Sequence, residues 1–351
     1  MSLAPSIYTS RDVDAPILNN GDLTSLIDVL QAVLVTGYGT GGNEKVSLGW
    51  ESSISPDGSR AAFRPTDVGS NQIWLYLDTV NTGLAGAVLT SGYIQFNGWT
   101  ANDPDATGAF GITNGRWRLR NSVDNNDQDW LIIGNSRCFY IYIAFTNSTT
   151  ATTPDTAGIF CYPENDIRGW MISPNFFGDL EPKTDAYNTY LVNDTNTITS
   201  SGRPRMYGGI PDARITAVMS TMAANRIGSV NSRLSIQSWS QGGTSPTIHI
   251  PGGTEYIVYP DPVHGIPVER CTVKELSSPY TYRGHLPGLY LPFSHIAVQS
   301  SVRPFDYLSE FVEGGNTYKI FPGNANSTAT VTGRPGAIIF DMTSNWHSNN
   351  A

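Results

Sequence analysis

Asp22–Leu34 reads DLTSLIDVLQAVL, and the fold turns on how this stretch is read. Leu23, Leu26, Ile27, Leu30, Val33 and Leu34 recur at helical spacing and make an apolar stripe that must be buried. Asp22 can accept hydrogen bonds from the free N–H groups of a first turn, and its charge suits the positive end of the helix dipole. Gly37 and Gly39 follow the last apolar residue, where a chain leaving a helix often needs positive φ. One helix of about 20 Å cannot make a core for 351 residues. The remainder is expected to be mostly sheet, with the helix clamped against it.

Composition supports that expectation. The chain has 35 glycines and 22 prolines, which rules out long uninterrupted helices. Charged residues make up 15% and aromatics 11%, and Lys is scarce among the 21 basic residues. This balance suits a β-protein with many turns and much surface pressed against other protein. The formal net charge of −9 argues against general nucleic-acid binding, whose affinity comes from neutralising phosphates. Cys138, Cys161 and Cys271 are odd in number and lack CxxC spacing, so buried free thiols are expected rather than disulfides or zinc. No secretory signal and no membrane-spanning run is visible, and a soluble protein made in the cytosol is expected.

Along the chain, residues 1–21 look extended and broken by Pro16, an N-terminal arm or a first edge strand. Strand patterns follow at Ile73–Leu77, Gly92–Trp99, Arg116–Arg120, Trp130–Ile133 and Cys138–Phe145. Ser173–Leu191 regains strand character and is expected to return to the first sheet. Asn147–Pro154 and Asp194–Arg205 are polar, and the second is placed as the domain boundary. Ala213–Ala224 is ambiguous between helix and strand. From Arg233 onward the segments RLSIQSW, TIHI, EYIVY, HIAV, TYKIF and AIIF are β in pattern. The expected fold is mainly β: two β-sandwich or jelly-roll-like domains, 22–194 and 195–351, with one N-terminal amphipathic helix.

Few residue constellations suggest chemistry. Gly37–Gly42 matches GxGxxG by letter, but a dinucleotide site needs a strand before it and a helix after it, and here the helix comes first. Five widely separated histidines show no metal-ligand spacing. Ser238-Trp239-Ser240-Gln241-Gly242 lacks the first glycine of a nucleophile elbow. Asp124, Asn126 and Gln128 have the alternation of a calcium loop without its glycine or distal Glu, and the stretch is read in preference as an Asx-rich hairpin turn. No catalytic, cofactor-binding or metal-ligating residue is therefore assigned, and no enzyme activity is expected. Arg116, Arg118 and Arg120 fall on one strand face, suited to docking carboxylates or phosphates or to pairing with acids on a neighbouring strand.

Tyr8-Thr9-Ser10-Arg11-Asp12-Val13-Asp14-Ala15-Pro16, then Asn20-Gly21 and the helix, lead into Leu34–Gly39, Gly49-Trp50 and Ala62-Phe63-Arg64. Later come Phe176-Phe177-Gly178-Asp179, Asp185-Ala186-Tyr187-Asn188 and Arg283-Gly284-His285-Leu286-Pro287-Gly288-Leu289-Tyr290-Leu291-Pro292. In order and spacing this set resembles a family of virion structural proteins from tailed bacteriophages. The resemblance implies a multicopy, homo-oligomeric particle component on the capsid exterior, neck or collar, or tail, made in the bacterial cytoplasm and bound to other virion proteins. It implies no catalytic residue. The expected partner-binding residues are Ile7, Tyr8, Arg11, Val13 and Ile17 of the arm, the arginines 116, 118 and 120, and Leu286 and Tyr290 of a loop shaped by its prolines and glycines. A rival reading is a host-surface glycan-binding module, with exposed aromatics such as Trp99, Trp170 or Trp239 stacking on sugar rings. Buried tryptophans favour the first reading and a row of exposed ones the second.

Overall fold

The apolar stripe forms a helix whose second half changes register. Ser25–Leu30 is α-helical and Gln31–Thr36 continues as π-helix. Asp22 acts just ahead of the first turn, its Oδ1 accepting from the Thr24 N–H at 2.9 Å and from the Thr24 hydroxyl at 2.6 Å. At the other end the Gly37 N–H donates to the Ala32 carbonyl at 2.7 Å, five residues back. That shift frees the Val33 carbonyl, which accepts from the Leu48 N–H at 3.0 Å and ties the helix to the chain entering the first large sheet. Gly37 and Gly39 leave with φ of 78° and 93°, the left-handed turn expected of them.

The computed structural model describes residues 3–19, 21–82, 87–93, 96–100, 103–104, 115–119, 127–128, 130–143, 175–181, 189–192, 219–221, 234–237, 257–258, 268–275, 282–292, 295–296, 309–322 and 337–347. Within them the chain is mainly β. A five-stranded antiparallel meander joins Trp50–Ile54, Arg60–Pro65, Trp74–Asp78, Ala87–Tyr93 and Gly115–Arg118. A six-stranded antiparallel sheet runs in the order Ser6–Thr9, Trp130–Gly134, Cys138–Ile143, Asn175–Asp179, Thr189–Val192 and Met219–Thr221. A second six-stranded sheet follows the order Leu234–Gln237, Val268–Glu275, Tyr282–Pro292, Ala337–Asp341, Asn316–Pro322 and Ser309–Glu313. We call these the meander, middle and C-terminal sheets.

The middle sheet is covered on both faces, which explains why its strands read as continuous apolar runs such as CFYIYI. On one face Trp130, Ile132, Phe139, Ile141, Ile143 and Phe177 meet Trp50, Phe63, Leu75, Leu77 and Trp117 of the meander in one core, with the helix residues Leu26, Leu30, Val33 and Leu34. Rings bridge the two sheets: Trp50 lies 5.4 Å from Phe139 and 6.0 Å from Phe177, and Trp117 lies 6.0 Å from Phe139. On the other face Tyr140 packs at 5.0 Å on Phe340 and 5.9 Å on Trp346, and its hydroxyl donates to the Pro287 carbonyl at 2.8 Å. Neighbouring residues of one strand thus serve two different layers.

Several expectations change here. Arg283–Pro292 is not a shaped loop. It lies within the eleven-residue strand Tyr282–Pro292, where Leu286 and Leu289 are buried. Two register shifts along its pairing with Val268–Glu275, and a left-handed Gly288 (φ 64°), absorb the irregularity its prolines and glycines suggested. The ambiguous Ala213–Ala224 stretch supplies the strand Met219–Thr221, so the middle sheet runs past residue 194. Asn175–Asp179 and Thr189–Val192 return to the sheet that holds the first strand, as expected. TIHI, Asn147–Pro154 and Asp194–Arg205 lie outside the described residues.

Candidate functional site

Residues 6–9 are an edge strand of the middle sheet, antiparallel to Trp130–Gly134. An edge strand is a template for a partner only while its outward N–H and C=O groups are free. Here the chain itself takes three of them. The Thr9 N–H donates to Asp12 Oδ2 at 2.8 Å, the Thr9 carbonyl accepts from the Asp12 N–H at 3.1 Å, and the Ile7 carbonyl accepts from Lys45 Nζ at 3.2 Å. Lys45 also pairs with Asp12 Oδ1 at 3.3 Å, and the Tyr38 hydroxyl donates to Asp12 Oδ2 at 2.7 Å. Burial, reinforced by Asp12, holds the Tyr38 hydroxyl protonated far above its ordinary range.

Two of the expected partner-binding residues, Tyr8 and Ile7, lie within this arrangement. Tyr8 is buried in the core, its hydroxyl donating to the Val46 carbonyl at 2.6 Å, and burial pushes its pKa up to about 12. Ile7 is half-buried on a strand whose carbonyl is already taken. Arg11 is exposed, as are Val13 (48%) and Ile17 (63%). The structure adds a residue that the linear pattern did not nominate, Val46, exposed at 81%. Lys45 to Asp12 and Thr40 Oγ1 to Asp14 Oδ2, at 2.5 Å, bring the glycine loop beside the Val13 segment. The glycines of that loop serve its own closure: a Cβ on Gly37 would meet the Lys45 carbonyl oxygen at 2.5 Å, and one on Gly39 the Asn43 carbonyl oxygen at 2.4 Å.

The other expected sites are dispersed. Arg116 and Arg118 sit on an edge strand of the meander whose Trp117 is fully buried, as is Leu119 just beyond it. Arg120 lies outside the described residues. Leu286 is buried, and the half-buried Tyr290 packs its ring 5.6 Å from Tyr318. Of the calcium-loop residues, Asp127 and Gln128 pair with Leu18–Asn19 in a short antiparallel ladder; 124–126 and 129 lie outside the described residues.

The densest titratable cluster is a buried junction where the middle sheet meets the 66–72 loop and the C-terminal residues. Asp67 pairs with Arg137 at 3.2 Å and accepts from the Ser136 hydroxyl at 2.9 Å. Burial works against the Asp67 charge, but the Gly69 N–H, Ser136 and Arg137 outweigh it and lower the pKa. Asp179 Oδ2 accepts from the Asn71 N–H at 3.0 Å, and its carbonyl lies 2.9 Å from His347 Nε2. Burial drives His347 down to about 4, so it stands neutral at ordinary pH. Cys138 beside it is fully buried and its thiol is raised by burial, the opposite of an activated nucleophile. These groups join the middle sheet to the 66–72 loop and the C-terminal residues. Among the described residues no group of three His, Cys, Asp or Glu could hold a metal ion, and no helix is long and apolar enough to cross a membrane.

A third assembly lies on the meander face turned away from the core. Trp74 and Tyr76 are covered there by Phe96 and Trp99: Trp74 to Phe96 is 5.2 Å, Phe96 to Trp99 5.0 Å and Tyr76 to Trp99 6.0 Å between ring centroids. Trp50, Trp74, Trp117, Trp130 and Trp346 are buried, whereas Trp99 is half-buried; Trp170 and Trp239 lie outside the described residues. No protein-family model matches the chain, and no curated protein is similar to it.

Proposed function

We propose that this chain is a structural subunit of a tailed bacteriophage particle, placed on the capsid exterior, neck or collar, or tail, and acting through protein–protein contacts. The observation that carries the reading is the exposed set Arg11, Val13, Ile17 and Val46 near an edge strand that already bonds the Thr9 N–H and the Thr9 and Ile7 carbonyls within the chain. Three branched apolar side chains and one guanidinium suit the packed contact of an interface better than solvent. The sequence resemblance directs that contact to other virion proteins, including further copies of the same chain, rather than to nucleic acid or a bilayer. In this reading the chain has two β-sandwich or jelly-roll-like units meeting across Tyr140, and the first twenty residues present side chains instead of donating a strand.

The test is incorporation into particles. Val13→Asp combined with Val46→Asp leaves the core untouched and is expected to give a folded protein absent from purified virions. Its presence there at the copy number of the parent, or a map of the intact particle without the chain, overturns the proposal.

A further inference from the structure

We infer that the outer face of the meander sheet binds an uncharged oligosaccharide, on a platform of Trp99 and Phe96 flanked by Glu51 and Arg64. The inference does not rest on the particle role. Trp50, Phe63, Leu75, Leu77, Val88 and Trp117 already supply the inner face of this sheet to the core. Trp74 and Tyr76 point the other way, and strand alternation puts Glu51 and Arg64 on that same outer side. A sheet face that only needed solubility would carry short polar side chains. This one carries four linked aromatic rings.

Polar bonds fix the rings in place. The Trp99 indole N–H donates to Ser53 Oγ at 2.8 Å, and the Tyr76 hydroxyl donates to Asp78 Oδ2 at 3.2 Å. Asp78 is itself held by Arg60 at 3.0 Å within the protein. Trp99 leaves its ring half-open at the start of a two-residue ladder with Asp103–Pro104, beside a half-buried Phe96. A rigid half-open ring gives the C–H face of a pyranose a flat apolar contact at little entropic cost.

The charged pair selects the ligand class. Glu51 and Arg64 hydrogen-bond to each other, and their side chains remain 41% and 34% exposed. The guanidinium lies 4.7 Å from the Trp74 ring centroid, which fixes the pair at the edge of the platform. Together the two groups sum to no charge while offering several acceptors and donors side by side. An anion would be favoured by Arg64 alone and a cation by Glu51 alone. A neutral polyol uses both, with its hydroxyls on the pair and its ring on Trp99.

The experiment titrates the full chain with maltohexaose, cellohexaose and chitohexaose, read by tryptophan fluorescence and saturation-transfer NMR. At least one is expected to give saturable binding with a dissociation constant on the order of 1 mM or tighter. Trp99→Ala should weaken it at least about tenfold, Trp99→Phe less, and Glu51→Gln about threefold without loss of fold, each a modest free-energy change. If Trp99→Ala fails to fold, Trp99→Phe and Glu51→Gln carry the comparison. No saturable response to any of the three sugars overturns the inference. So does undiminished binding in both Glu51→Gln and the Trp99 variants, or a preference for heparin over all three neutral chains.

Discussion

Leu30→Ala tests whether the helix is a structural clamp. Leu30 is fully buried, as are Leu26, Val33 and Leu34 around it, in the core that holds both the meander and the middle sheet. The substitution removes three carbons, about 2.4 kcal/mol of transfer free energy at about 0.8 per carbon. A cavity adds to this, because the surrounding elements can collapse only in part. The helix is anchored at both ends, by Asp22 with Ser25 and by the Val33 carbonyl to Leu48, and it cannot slide to fill the gap. A loss of about 3–4 kcal/mol is expected, within the range of about 2–5 for buried leucines. Urea titration monitored by tryptophan fluorescence measures it as a lower midpoint with an unchanged slope. The exposed Asp28→Ala on the same helix serves as control and should move the midpoint little. A Leu30→Ala midpoint equal to that of the control refutes the clamp.

Three more outcomes can be checked. His347 sits at about 4 in the native state against an ordinary value of about 6.5, so the unfolded chain takes up a proton that the native chain refuses. Stability should therefore fall by about 3 kcal/mol as pH drops from about 6.5 to about 4, and His347→Gln should flatten that slope in unfolding titrations. Asp67 and Asp78, whose carboxyls are lowered, lose their contribution at more acidic pH than His347. Asp78→Asn removes the charge that pairs with the buried Arg60; a loss of about 3–5 kcal/mol is expected from the same titration. Gly178→Ala places a Cβ 2.2 Å from that of Cys138 at φ 143°, and should split the Cys138–Ile143 and Asn175–Asp179 pairing, lowering the melting temperature and baring Cys138 to thiol reagents.

What depends on local spacing was legible in the chain alone. The stripe from Leu23 to Leu34 demanded a helix, Gly37 and Gly39 demanded a left-handed exit, and RWRLR demanded a strand with Trp117 and Leu119 inward. Each follows from the period of the backbone and needs no knowledge of neighbours. The role of Tyr8, the strand at Tyr282–Pro292 and the packing of Trp99 on Tyr76 and Phe96 were not legible. Tyr8 is buried because residues from 38 to 46 fold over it, and Leu286 because the C-terminal sheet closes on Tyr140. Trp99 meets Tyr76 and Phe96 through the packing of a short ladder on the meander face. Whether an apolar side chain meets its own core, a partner or a sugar depends on segments far away in the chain. Periodicity fixes which side of a strand a residue takes; tertiary packing decides what stands opposite it.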